Sequence, residues 1–224
     1  MKTLRGSIVC VLVLLSTVSL LRAQELSKYR HFTLGMSVTN LLERTDKKMS
    51  DVTTIHGRPA LIQEVTWWPP SGPGASFRSD GVEQVLFSFY NGELYKISVT
   101  YDPPSTAGLT EEDMVKSISA KYGPATIVAP EFDSQAQPAS NIRQRSVASW
   151  EDAQYSVNLV RFYFSDVLGL VVLSKPLNTQ AELAIGEAVK LDEQEGPRRE
   201  ADRQKKQKDD LEAARQKNQK SFRP

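Results

Sequence analysis

Several segments between residues 53 and 174 have the alternating or continuous apolar pattern of β-strands, and they predict a fold rich in strands. Apolar residues at helical spacing predict three helices, which lie before, between and after the strands. The expected strands are 53–56, 61–68, a hairpin at 85–101, 147–150, 155–164 and 167–174. The expected helices are 37–46, 110–122 and 179–195. The order of these elements indicates the α+β class with antiparallel strands.

The hairpin at 85–101 is the strongest strand signal, and it turns at Asn91-Gly92. Asn-Gly usually forms a two-residue type I′ turn, but that register would leave both faces of the hairpin mixed in polarity. A three-residue loop, Tyr90-Asn91-Gly92, shifts the register by one residue and separates the two sets of side chains. We therefore expect the three-residue loop. One face would carry Val85, Phe87, Phe89, Tyr95, Ile97, Val99 and Tyr101, and the other Leu86, Ser88, Leu94, Lys96, Ser98 and Thr100.

Capping residues mark the expected helix ends. Ser37 follows the turn residue Gly35 and can cap the first helix. Thr110 precedes three acidic residues at the start of the second helix, which Gly123-Pro124 ends. The third helix is expected to begin at Thr179-Gln180-Ala181-Glu182, which has capping-box spacing, and to end at Gly196-Pro197. Its apolar side consists of Ala181, Ala184, Ile185, Ala188 and Val189.

The two halves of the chain have the same order of parts, which suggests an internal repeat. Each half is one helix followed by three or four antiparallel strands, and two such units could form a continuous sheet. We expect two tandem helix-plus-antiparallel-sheet repeats with the helices packed on one face, and a charged C-terminal helix or disordered tail. The expected segments are a signal peptide (1–23), a first repeat (24–104), a second repeat (105–177), an amphipathic helix (178–197) and a charged tail (198–224).

The first half resembles the small outer-membrane assembly lipoproteins of the BamE (SmpA/OmlA) type. The matching parts are Gly35-Met36-Ser37 at a helix start, Trp67-Trp68 in an aromatic strand, and the hairpin from Val85 to Ile97 with Gly92 at its tip. The tandem form is similar to the duplicated architecture of β-lactamase-inhibitor proteins. The lipoprotein cysteine is absent, so the resemblance does not imply a lipid anchor. It implies a fold and a binding role.

The N-terminus has the features of a secretory signal peptide. Lys2 and Arg5 precede an apolar run at 8–21, and Leu21-Arg22-Ala23 makes a small-residue cleavage site. The apolar run is shorter than the roughly 20 residues of a membrane span, although a retained N-terminal anchor is the alternative. The only cysteine of the chain, Cys10, lies inside this segment. We therefore expect a periplasmic or secreted protein whose mature form has neither a thiol nor a disulfide.

Charge divides the chain into an acidic body and a basic tail. Residues 24–197 contain 15 basic and 22 acidic side chains, a balance of −7. Residues 198–224 contain 10 basic and 5 acidic side chains, a balance of +5. Such a body argues against a nucleic-acid domain. The tail has too little apolar surface to offset its ordering entropy, so we expect a frayed helix or a disordered segment. It is expected to be solvated, or alternatively to contact an anionic surface.

The residues that support catalysis do not form a recognisable constellation. His31 and His56 have no second histidine or carboxylate at metal-ligand spacing, so we assign neither a metal nor a general-base role. Glu111-Glu112-Asp113 stands at a helix start, where acidic residues serve as caps and partners of the helix dipole. We expect no catalytic residues, no cofactor and no metal, and hence a protein that is not an enzyme.

Trp67-Trp68-Pro69-Pro70 is the best candidate for recognition. Successive side chains of a strand point to opposite faces, so one tryptophan can be buried while its neighbour is outside. The alternative is that the outer ring packs under the loop 69–76, and Trp150 is expected in the core. The expected function is binding of another envelope protein, and the alternative is a small-ligand or glycan site in a cleft between the repeats. The candidate binding residues are Trp67, Trp68, Tyr90, Arg198, Arg199, Lys205 and Lys206.

Overall fold

The structure is a computed structural model that describes residues 25–70, 81–128, 144–162 and 167–221. The expected signal peptide and most of the loop 69–76 after Trp68 lie outside the described residues. The strands are β1 (Lys28–Tyr29), β2 (Phe32–Thr33), β3 (Val52–His56), β4 (Ile62–Trp67), β5 (Val82–Tyr90), β6 (Glu93–Tyr101), β7 (Thr126–Ile127), β8 (Gln144–Glu151), β9 (Tyr155–Phe162) and β10 (Leu168–Ser174). The helices are α1 (Val38–Thr45), a 3-10 turn (Met49–Asp51), α2 (Pro103–Thr106), α3 (Glu111–Tyr122) and α4 (Lys175–Ser221).

Eight of the strands form one antiparallel sheet, in the order β3-β4-β5-β6-β10-β9-β8-β7. The first four strands in this order come from the N-terminal half and the last four from the C-terminal half. The halves join at the centre, where β6 pairs with β10 from Thr100 opposite Gly169 to Lys96 opposite Leu173. The α+β class is therefore confirmed, with a large antiparallel sheet and a long C-terminal helix.

The expected fold of two tandem helix-plus-sheet repeats is wrong: the structure is one large antiparallel sheet of eight strands plus a long C-terminal helix, and both halves share one buried core. One buried cluster contains residues of both α1 and α3 together with strands from each half of the sheet. We call the sheet face that carries this cluster the core face, and the opposite face, on which α4 packs, the α4 face. The helices α1 and α3 both pack on the core face, as the sequence suggested for the helices of the two repeats, whereas α4 covers Ile62 and Tyr95 on the opposite side.

The β5–β6 hairpin differs from its expected form near the turn. Tyr90 pairs with Glu93 across a two-residue Asn91-Gly92 turn, in which both residues have positive φ. A bulge at Tyr95 then shifts the pairing by one residue, so that Ser88 pairs with Lys96 and Phe87 with Ile97. The bulge restores the expected burial of Val85, Phe87, Ile97 and Val99 on the core face. Only Leu94 and Tyr95 exchange faces relative to the prediction.

The Gly35-Met36-Ser37 segment ties α1 to the tip of this hairpin. The Gly35 amide donates to the Leu94 carbonyl at 2.8 Å, and the Leu94 amide donates to the Met36 carbonyl at 2.9 Å. Gly35 adopts a φ of 86°, which a residue with a Cβ rarely takes. Ser37 then caps α1 by accepting from the Asn40 amide, as expected. The expected cap of α3 is also confirmed, because Thr110 and Asp113 form a capping box.

Helix α4 is longer at both ends than the sequence predicts. It begins at Lys175, directly after β10, and Thr179 is inside it, where its hydroxyl donates to the Lys175 carbonyl. It also continues through Gly196-Pro197, where we expected the end, so the helical alternative for the charged tail is the one found. Ala181, Ala184 and Ala188 are buried as expected, whereas Val189 is exposed.

Candidate interaction surface

The two adjacent tryptophans have opposite environments. Trp67 is 5 % exposed, and its ring lies edge-on to Phe32 with centroids 5.6 Å apart in the core. Trp68 is 58 % exposed, and the Lys47 ammonium lies 5.5 Å above its ring. The expected alternation of a buried and an exposed tryptophan is therefore found. Because more than half of Trp68 is exposed, its ring is not packed against the body. Trp68 is the member of the pair that a partner can reach.

Trp68 belongs to a small exposed corner of the molecule. Lys47 and Met49 precede β3, and Trp68 follows β4, so all three flank the same end of this antiparallel strand pair. Met49 is 61 % exposed. We call Lys47, Met49 and Trp68 the Trp68 corner. It combines an aromatic ring, a flexible apolar side chain and a cation over the ring, which are chemical groups common in protein-binding surfaces.

The corner adjoins the open edge of the sheet. No strand among the described residues pairs with the outer side of β3, and Thr53, Thr54 and Ile55 of this strand are exposed. The opposite edge strand, β7, has only two residues. Unpaired amides and carbonyls of an edge strand can accept a further strand. β3 is therefore the longer of the two edges and the one beside the exposed tryptophan.

Tyr90 lies apart from the Trp68 corner. It is half-buried and packs with Ile62, Tyr95 and Ala181 beneath α4. Tyr90 pairs with Ile62 at the start of β4, whereas Trp67 ends that strand, five residues further along. At about 3.4 Å per residue, this separates Tyr90 from the corner by roughly 17 Å. Tyr90 therefore contributes to the seating of α4.

A polar group of side chains lies beside this seat on the α4 face. Ser88 donates its hydroxyl to Glu64 Oε1 at 3.2 Å, across the β4–β5 pair. Burial raises the pKa of Tyr95 to about 12, with the nearby Glu64 charge as a second cause. Burial also lowers the pKa of Lys96, although the charges of Glu64 and Glu182 act in the opposite direction. Because Glu182 is in α4, these charges connect the helix to the sheet.

The middle of α4 is held to the turn between β3 and β4 by an exposed ion-pair group. Arg58, in the turn between β3 and β4, donates to both carboxylate oxygens of Glu195. Arg199 donates to Glu195 at 2.8 Å and to Asp192 at 3.0 Å. Hydrogen bonds from Arg58 and Arg199 lower the pKa of Glu195 to about 2. Arg199 is therefore part of an intramolecular contact, although its side chain is still about half exposed.

The remaining basic candidates are exposed on α4 beyond this contact. Arg198, Lys205 and Lys206 are all exposed. Every residue of the helix from 201 to 221 is exposed as well. The sequence identified these cations from composition alone. It could not place them relative to Trp68, because their position depends on where α4 crosses the sheet.

The acidic cluster at the start of α3 has a structural role. Asp113 caps the helix by accepting from the Thr110 amide at 3.0 Å. Glu111 accepts from Arg161 Nε at 2.8 Å and is also paired with Arg145. These arginines lie opposite each other on β8 and β9. Glu111 thus bridges two like charges that would otherwise repel across the strand pair.

No group of three or more His, Cys, Asp or Glu side chains that could hold a metal ion occurs among the described residues. Within the same part of the chain, no helix is both long and apolar enough to cross a membrane.

Comparison with known proteins finds no matching family model, no matching curated protein and no matching solved structure. The resemblance to BamE-type domains therefore remains an expectation from short motifs. Sequence reasoning identified Trp68 but missed Lys47, Met49 and the β3 edge. The sequence carries only a weak signal for these features, because the order of the strands in the folded sheet determines which strand lies at its edge.

Proposed function

We propose that the chain is an exported, non-enzymatic protein-binding module whose contact surface is the Trp68 corner and the adjoining β3 edge. The observation that carries the proposal is the exposed Trp68 ring beside β3, whose outer side pairs with none of the strands described in the structure. Tryptophan is enriched among the interface residues that dominate binding energy. Lys47 adds a cation over the ring, and β3 adds backbone donors and acceptors. An envelope protein is the partner class that the N-terminal signal features favour.

A crosslinking pull-down from envelope extract tests this surface. Trp68→Ala is expected to reduce recovery of the specific partner about tenfold or more, as for a dominant interface residue. Leu183→Ala is the matched control, because Leu183 is 67 % exposed on α4 and belongs to neither part of the surface. Equal recovery with wild type and Trp68→Ala would remove the tryptophan from the proposal.

Export is proposed from the N-terminal pattern, since residues 1–23 lie outside the described range. Intact-mass measurement of protein recovered from the periplasm or medium is expected to show a chain that begins near residue 24. A mass that includes the first 23 residues, with the protein in the membrane fraction, would instead favour the N-terminal anchor.

Glycan or small-ligand binding is the second candidate, and one observation on the α4 face favours it. The strand register places Thr66, Ser98 and Asn158 in one row across the sheet, with Leu86 and Val171 between them. Such a site would lie on the sheet face, because β6 and β10 are hydrogen-bonded neighbours with no cleft between the halves. Calorimetric titration with soluble cell-wall glycan tests this site. If the heat of glycan binding is the same for Ser98→Ala and the wild type, this row of side chains is not the binding site.

A further inference from the structure

The C-terminal part of α4 extends past the edge of the sheet. The helix packs in turn on β10, β6 and β5, and reaches the β3–β4 turn where Glu195 meets Arg58. From Arg198 to Ser221 it has 24 more residues, which we call the arm. At 1.5 Å per residue the arm is about 36 Å long. Every residue of the arm from 201 to 221 is exposed, so this part of the helix does not pack on its own body.

The composition of the arm limits what it can contact. Its only large apolar side chain is Leu211, which is 71 % exposed. A coiled-coil seam needs apolar residues every three to four positions, and a helix that inserts into a lipid surface needs an apolar face. The arm has neither, so its interactions must be electrostatic. It carries 9 basic and 5 acidic side chains, a balance of +4.

The acidic body of the same protein is the surface that complements this charge. Residues 24–197 have a balance of −7, opposite in sign to the arm. Because residues 201–221 of the arm do not pack on their own body, this complementarity can be used only between two molecules. Opposite charges on two surfaces raise the association rate and orient the partners.

The edge from which the arm leaves is also suited to pairing with a copy of itself. β3 contains neither proline nor a Lys, Arg, Asp or Glu residue, and four of its five residues are β-branched. Natural edge strands are usually protected by such charges or by proline. A bulge follows Thr54, so the regular part of β3 is Val52 to Thr54. This short ladder needs a second contact for a stable interface, and the arm can supply it.

We propose that two copies of the chain pair antiparallel through β3 and that each lays its arm across the body of the other. A two-fold axis through Thr54, perpendicular to the sheet, keeps both α4 faces on the same side. It also places the Arg58 turn of one copy, where its arm leaves, beside the Trp68 corner of the second copy. The inference rests on the proposed function, because it names a second copy of this chain as the occupant of that surface.

Sedimentation equilibrium of the full chain, as purified after export, tests the pairing. The expected result is a reversible dimer that weakens with salt, because exposed charges are screened. Lys205→Glu/Lys206→Glu is expected to raise the dimer dissociation constant about tenfold or more. Lys116→Glu, a charge reversal on exposed α3, is the control and should leave it unchanged. A monomer at every concentration up to the solubility limit would overturn the inference.

Cysteine crosslinking tests the strand register independently. In the exported chain, which is expected to lack Cys10, Thr54→Cys is expected to form an intermolecular disulfide, because the two-fold axis places residue 54 opposite its own copy. Thr126→Cys, on the other edge of the sheet, is the matched control and should stay reduced. A dimer that neither crosslinks at residue 54 nor responds to the arm variant uses a different interface and rejects the proposal.

Two further outcomes separate this inference from the proposed function. A monomer that still captures its partner through Trp68 would overturn the dimer and leave the proposed function standing. A monomer whose arm binds vesicles containing phosphatidylglycerol, and not pure phosphatidylcholine, would assign the arm to an anionic membrane surface instead.

Discussion

Arg58 and Glu195 lie 137 residues apart in the chain and form a bidentate ion pair between the β3–β4 turn and α4. The pair lies three residues before the arm begins at Arg198. Since the bond to Arg58 is the largest cause of the low Glu195 pKa, this carboxyl reports whether the helix is seated.

The pH dependence of this contact follows from the sign of the shift. The pKa of Glu195 falls from 4.5 to about 2, so the contact contributes fully above pH 4.5 and is lost as the pH falls towards 2. Carboxyl NMR titration is expected to give a midpoint near 2 for Glu195. In Arg58→Gln the midpoint should rise towards 4.5. An unchanged midpoint in that variant would show that Arg58 does not hold the helix.

Trp150 should be far more important for stability than Trp68. Its indole N–H donates to the Gly123 carbonyl at 2.9 Å, and the side chain is 1 % exposed. Trp150→Phe leaves that carbonyl without its donor and removes core volume, so we expect a loss of about 1–3 kcal/mol in the free energy of unfolding. Trp68→Phe should change it by about 0.5 kcal/mol or less. Urea unfolding of both variants measures the difference, and equal losses would contradict the assigned burial.

Two glycine substitutions are expected to have opposite effects. A Cβ at Gly169 would lie 2.6 Å from the Phe162 ring and 2.7 Å from the Val99 carbonyl oxygen. Gly169→Ala should therefore lower the free energy of unfolding by about 1–3 kcal/mol. Gly186 lies in α4 with nothing within 4 Å, so Gly186→Ala should raise the stability of the helix by about 0.5–1 kcal/mol. Thermal unfolding followed by circular dichroism compares the pair. The same sign for both would count against the close packing at β10.

The buried Tyr95 hydroxyl predicts a loss of stability at alkaline pH. Its pKa rises from 10 to about 12 on folding, chiefly through burial, so its contribution is complete below pH 10 and disappears as the pH rises through 12. Unfolding measured between pH 9 and about 12 should show a decline that is smaller in Tyr95→Phe. An identical decline in the variant would mean that other groups account for it.

The β5–β6 hairpin shows how far local pattern reaches. The alternation of Val85, Phe87 and Phe89 predicts the correct buried face. A register shift of one residue would move all three side chains from the core to the opposite face of the sheet. The turn length was predicted wrongly, since a bulge can correct the register further along the strand. The bulge turns Tyr95 towards Ala181 of α4. That contact partner lies 86 positions away, and no local pattern reveals it.

Helix α4 shows the same limit on a larger scale. Gly196-Pro197 is a typical stop signal, yet the helix continues through it. Glu195, just before this signal, pairs with Arg58 in a distant turn and with Arg199 on the other side of the Gly-Pro pair. The pattern of apolar and polar residues predicts neither ion pair. The separate tail expected from composition is therefore part of one helix that begins directly after β10.

The sequence by itself determined the α+β class, most of the strands, the caps of α1 and α3, and the alternation by which one of Trp67 and Trp68 can be buried and the other exposed. These features depend on spacing of two or 3.6 residues and on capping groups within a few positions. The tertiary structure alone decided that the halves share one sheet, that β3 is its open edge, and that α4 crosses the opposite face. These depend on pairings between distant segments, such as β6 with β10, whose energies arise only when the chain is folded.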